Sequence, residues 1–213
     1  MRKAFLSMLA AGAALLVPGT ALADNGGASM RDVYDAGRCI VDRDRRAAVG
    51  LLQALPLEGD AADLSSLPDS LAQRCGEGLH AASALHLRGA IAQALFFRDF
   101  GGFGAEPRRA TPLVDMDLPV QRSPGGSPTI DLYRWADCLV RNDSVHAERL
   151  MESRVGSRSE MLAIEGMRNY MAACAPEGAE LAVQTAELRS VIAQSAYHSM
   201  YRYWTGRLAS VGQ

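Results

Sequence analysis

The chain has 213 residues, with 22 basic and 24 acidic side chains, a net charge of −2 and a 48% share of hydrophobic residues. That balance excludes the strongly basic face with which a protein grips nucleic acid, and the length suits one ordinary domain or two small ones. Lys3 is the only lysine, which excludes Schiff-base and lysine-nucleophile chemistry downstream of it.

The first 23 residues carry the three parts of a secretory signal: Arg2 and Lys3, an apolar stretch from Ala4 to Val17, and the small-residue site Ala21-Leu22-Ala23. Ser7, Gly12, Pro18 and Gly19 interrupt the stretch, which falls short of the roughly 20 apolar residues of a spanning helix. Cleavage after Ala23 is expected, leaving 190 residues. Arg2 and Lys3 depart and no acid does, so the charge goes from −2 to −4. Asp24, not a lipid-accepting cysteine, stands directly after the cleavage site, and no later segment is apolar for long enough to cross a bilayer, so a periplasmic or secreted product is predicted.

The four cysteines, Cys39, Cys75, Cys138 and Cys174, fall into two pairs with the same spacing of 36, which invites a search for a repeat. A shift of 99 lays Tyr34 on Tyr133, Cys39 on Cys138, Val41 on Val140, Asp44 on Asp143, Ala48 on Ala147 and Leu51 on Leu150. After a two-residue insertion, Leu87-Arg88-Gly89-Ala90-Ile91-Ala92-Gln93 lies on Leu188-Arg189-Ser190-Val191-Ile192-Ala193-Gln194, with five of seven identical. The chain therefore reads as a duplication: one helical unit over 30–98, a linker over 99–128 and a second helical unit over 129–208.

In the first unit, Leu64, Leu67, Leu71 and Cys75 share one face of a middle helix, and Leu87, Ala90, Ile91, Ala94 and Leu95 form the apolar stripe of a terminal helix. The linker is punctuated by Gly101-Gly102-Phe103-Gly104, Pro107, Pro112, Pro119 and the run from Ser123 to Pro128, which leaves no room for a regular helix. It reads as a tether, with a lid or binding loop as the alternative. In the second unit, Leu132, Trp135, Ala136 and Leu139 make a helical stripe, as do Met167, Tyr170, Met171 and Cys174. Ser157-Arg158-Ser159-Glu160 is a capping box and should start a helix. Asp44 and Asp143 sit where a helix breaks or a new one is capped, so each unit has three helices, or four if the aspartates mark breaks. Tyr197, Tyr201 and Trp204 follow at helical spacing and are expected to complete the second unit's core.

Cysteines without a Cys-x-x-Cys spacing in an exported chain read as disulfides rather than metal ligands. Three pairings are possible; the duplication favours Cys39 with Cys75 and Cys138 with Cys174, because a single ancestral copy had only its own two cysteines. A zinc site built from all four is the alternative. The histidines His80, His86, His146 and His198 make no metal-protease pattern, and no nucleophile elbow, phosphate loop or haem motif occurs. No cofactor is readable. Asp115 and Asp117 are too few oxygens for a calcium site.

Arg88 and Arg189, with Gln93 and Gln194, recur inside apolar helices of both copies. One reading is structural, each guanidinium bonding backbone carbonyls or an acid of its own unit. The other has both arginines open on a shared groove and gripping a small anionic ligand.

The tandem pattern, Cys-Ile-Val or Cys-Leu-Val, a second cysteine, then Leu-Arg-x-x-Ile-Ala-Gln, resembles exported tandem-repeat helical proteins of GC-rich alphaproteobacteria. The resemblance covers both copies and not the linker. It implies export and duplication but brings no activity, since that group has none assigned. The sequence thus leads to an all-α exported protein of two disulfide-stapled units. Its expected role is binding or interaction with a protein or a small anionic ligand, and the alternative is a cell-envelope hydrolase with its site between the units.

Overall fold

A computed structural model describes residues 28–52, 67–76, 79, 82–103, 128–175 and 183–211. The expected signal at 1–23, and Leu64, His80, Asp115 and Asp117, lie outside these residues. Every regular element among the described residues is a helix: α1 (Met30–Arg43), α2 (Arg45–Leu51), α3 (Asp69–Cys75), α4 (Ala84–Phe100), α5 (Pro128–Asn142), α6 (Ser144–Glu152), α7 (Arg158–Cys174) and α8 (Thr185–Val211). Each half contributes four. The aspartates mark breaks as expected: the side chain of Asp44 accepts from the amide of Ala47 at 2.9 Å and caps α2, while Asp143 accepts from His146 and caps α6.

Local sequence explains the other boundaries. Ser29 and Asp32 form a reciprocal capping box that starts α1. α4 ends at Gly101, whose left-handed φ of 69° suits a residue without a Cβ. The turn into α7 uses Gly156 at φ 73°.

Outer helices bury one stripe, as α1 does with Val33, Tyr34, Ala36, Gly37, Ile40 and Val41. α4 and α8 are central instead. Every residue of α8 from Leu188 to Met200 is buried, which is what a helix surrounded by neighbours requires. α4 and α8 make the most extensive helix contact of the molecule, with α1 against α4 and α5 against α8.

The two halves do not have separate cores. A single apolar cluster contains Ile40, Leu51, Ile91 and Phe96 of the first unit together with Leu139, Leu150, Ile192 and Tyr197 of the second. The expected linker also begins later than residue 99. α4 runs through Phe100, and Phe103 is buried against Phe96, with ring centroids 4.6 Å apart. The amide of Phe103 donates to the carboxylate of Glu148 in the second unit.

Both cysteine pairs are joined as the duplication favours, Cys39 to Cys75 and Cys138 to Cys174, with Cα atoms 5.5 and 5.6 Å apart. One staple ties α1 to α3 and the other ties α5 to α7. Among the described residues no helix is long and apolar enough to cross a membrane.

Candidate functional site

The recurring arginines and glutamines come together where α4 crosses α8, and their bonding alternates between the units. Arg88 donates from Nη1 to the carbonyl of Leu51 at the end of α2, and from Nε to Oε1 of Gln194 in the other unit at 3.3 Å. Arg189 mirrors it, donating from Nη2 to the carbonyls of Met151 (2.9 Å) and Ser153 (2.6 Å) after α6, and from Nε to Oε1 of Gln93 at 3.1 Å. Each arginine thus holds the end of its own unit's second helix and reaches across to the other unit's glutamine. The arginines point into their own units as the structural reading has it, whereas the glutamines do not.

Arg189 has a further set of partners: Nη1 donates to Ser153 Oγ at 3.2 Å and to Glu160 Oε1 at 2.9 Å. Every N–H donor of its guanidinium is then in use, and Tyr34 lies under it with the ring centroid 4.9 Å from Cζ. The residue is 2% exposed and its partner Glu160 5%. An anion arriving here would find no free donor and no open path. Burial lowers the pKa of Arg88 from the usual guanidinium range and pushes the Tyr34 phenol up to about 12.

Glu160 was hidden from sequence reasoning by its own motif. Ser157 caps α7 by accepting from the amide of Glu160 at 3.2 Å, as expected. The glutamate carboxylate, however, bonds the amide of Gly156 and Arg189 rather than its cap residue. A capping box already accounts for a glutamate at that position, so nothing in the pattern signalled a buried ion pair.

A second polar group lies between α6 and α7. The carboxylate of Asp143 holds Nδ1 of His146 at 2.8 Å, and the imidazole sits over Gly166, where a Cβ would fall 2.4 Å from Nε2. Beside it is a cleft of about 450 Å³ lined by His146, Arg149, Glu152, Ser153, Ser159, Leu162 and Ala163. An oriented Asp–His pair is half of a nucleophile-activating relay. The hydroxyls near it do not complete the relay. Ser153 is engaged by Arg189 and the carbonyl of Leu150, and Ser159 stands seven residues from Gly166, about 10 Å along the helix.

A third polar group lines the inner side of α8. Ser199 donates to Asp137 at 3.2 Å, and His198 is 8% exposed with its Nε2 lacking a hydrogen-bond partner. Burial, with Arg88 and Arg202 nearby, pulls the His198 pKa down to about 4. Among the described residues, no group of three or more His, Cys, Asp or Glu side chains is placed to hold a metal ion.

The aromatic tail departs from expectation. Tyr197 is buried at 2%, but Tyr201 and Trp204 are 47% and 41% exposed. α8 is buried from Leu188 through Met200, and Tyr201, Arg202, Trp204 and Thr205 beyond it are exposed. Tyr170, expected on the apolar face of α7, is likewise exposed, and Met167 takes the core position. The other exposed large apolar side chains among the described residues, Val145, Met161 and Leu162, also belong to the second unit.

The chain matches no protein-family model, and neither curated proteins nor solved structures give a significant match.

Proposed function

We propose that the chain is an exported, periplasmic or secreted, helical interaction protein that meets its partner through the outer face of its second unit. The observation that carries this reading is an asymmetry between duplicated halves. Among the described residues, Val145, Met161, Leu162, Tyr170, Tyr201 and Trp204 are the exposed large apolar side chains, and all lie in the second unit. Exposed large apolar groups do not stabilise the fold they stand on, and where such groups are contiguous they mark contact surfaces. Export is supported by the use of all four cysteines in disulfides, which persist outside the reducing cytoplasm.

A photo-crosslinking residue placed at Leu162, and separately at Asp35 on α1, tests the contact face in a bacterium that exports the chain. A discrete adduct from position 162 and none from 35 is expected; equal labelling from both would overturn it. Export is checked independently by sequencing the N-terminus of the periplasmic product, which should begin at Asp24. The hydrolase alternative rests on Asp143 and His146 beside their cleft, and is the lesser reading because, among the described residues, no hydroxyl is hydrogen-bonded to the imidazole as a nucleophile would be.

A further inference from the structure

The α4–α8 crossing is close to a two-fold arrangement, since Arg88 reaches Gln194 and Arg189 reaches Gln93. An interface of this reciprocal kind is self-complementary: each unit carries a surface that could in principle accept a second copy of itself. Pairing of like units between chains would leave each chain bivalent and build open polymers. Something at the crossing has to choose.

The residues that meet at its centre are Gly89 and Ser190, which occupy matching places in the repeat. A Cβ added to Gly89 would lie 2.5 Å from Cα of Ser190, 2.6 Å from its Cβ and 2.8 Å from its Oγ. These distances are too short for real atoms, and the nearest one is backbone, which no side-chain rotation relieves. The crossing has space for one Cβ and not for two. Ser190 also serves its partner unit, since the phenol of Tyr34 donates to Ser190 Oγ at 3.3 Å while that hydroxyl donates to the carbonyl of Ala186. The matching phenol, Tyr133, faces a unit that offers only Gly89, and it donates to Gln194 at 2.9 Å instead.

The geometry points to Gly89 and Ser190 as the pair that selects which unit partners which. Two copies of the second unit would bring serine against serine and clash at the backbone. Two copies of the first would meet as glycine on glycine and forfeit the bond from Tyr34. The mixed pair alone both fits and satisfies that phenol, so the duplicated chain closes on itself.

The test uses the whole chain, folded first and then cut at a protease sequence inserted within residues 104–127. The cut chains are held near their unfolding midpoint to allow exchange, diluted back, and weighed by native mass spectrometry. The wild-type chain, cut in the same way, should give the mixed pair without a pair of second units. Ser190→Gly, which removes the obstructing Cβ, should raise the pair of second units by about tenfold or more over that background, whereas Ser190→Ala, which keeps the Cβ and loses the hydroxyl, should not. The proposal is overturned if Ser190→Gly yields no such pair, if the wild-type or Ser190→Ala chain yields it equally, or if the cut units simply part. Should Ser190→Gly not fold, the uncut Gly89→Ala chain decides: a large fall in its urea midpoint is expected, and a wild-type midpoint would show that the crossing has room for a second Cβ.

Discussion

The two halves place the same arginine on the same helix, yet surround it differently. Arg189 spends its donors on two carbonyls, a serine, a glutamine and the buried carboxylate of Glu160, and Arg88 has the carbonyl of Leu51 and Gln194 among its partners. The capping aspartates diverge in the same way. Asp44 binds only backbone among its described partners, the amide of Ala47, while Asp143 also orients His146. Both halves keep the contacts that close each unit, and the side chains around those contacts differ. The second unit accumulated the ion pair, the Asp–His pair and the exposed apolar groups.

The sharpest way to break this comparison is at Glu160. Glu160→Ala leaves Arg189 charged and buried with a partner missing, and should cost about 3–5 kcal/mol, read from a urea melt followed by circular dichroism. A loss below about 1 kcal/mol, the range of exposed pairs, would mean that the carboxylate is solvated and the two arginines are alike after all.

The disulfides should instead behave alike. Each closes a loop of the same sequence separation, 36, so converting either pair to serine should lower stability by roughly 3–4 kcal/mol on the chain-entropy argument. Unequal losses would show that one unit is held mainly by packing and the other by its staple.

His198, on α8 of the second unit, provides a pH test. In the unfolded chain an imidazole protonates near its ordinary pKa of 6.5, but the buried one does so only near about 4. Between those values the unfolded state binds more protons, so stability falls as pH drops from about 6.5 toward 4, by on the order of 2–3 kcal/mol. His86, also pulled down by burial, acts in the same direction. His198→Asn should flatten much of that acid limb, and an unchanged limb would remove His198 as its cause.

The glutamines separate by a smaller margin. Gln194 accepts from both Arg88 and Tyr133 and donates to the carbonyl of Ser190, so Gln194→Ala should cost about 2–3 kcal/mol, against about 1 kcal/mol for Gln93→Ala. Equal midpoints in a denaturant series would make the seam more symmetric than its bonding. Smallest of all, Trp204→Ala at a site 41% exposed should shift stability by no more than about 0.5 kcal/mol, and a multi-kilocalorie loss would put the tail back in the core.

Much of the architecture was legible before any coordinates. Apolar spacing located α3, α4, α5 and α7, the aspartates announced the helix breaks, and the equal cysteine spacing pointed to the bridges, because these features depend on contacts within one helix or on two segments of equal spacing. The linker boundary was misplaced at residue 99 because Gly101 ends a helix without ending a unit, and only the site occupied by Phe103 shows that the chain is still in the core. The tail failed for a related reason. A helical stripe of Tyr197, Tyr201 and Trp204 has the same period whether or not anything lies opposite it.

What the amino-acid sequence determined by itself is local or equally spaced: helical class, caps and the pairing of the cysteines within each half. Tertiary structure alone decided that the halves share one core, that each arginine takes the other unit's glutamine, that Glu160 is a buried counter-ion and that Gly89 faces Ser190. These are relations between residues from 29 to 106 positions apart, and no periodicity along a chain encodes which faces of two helices will meet. That choice belongs to close packing, where a single Cβ at a crossing decides whether two backbones can approach.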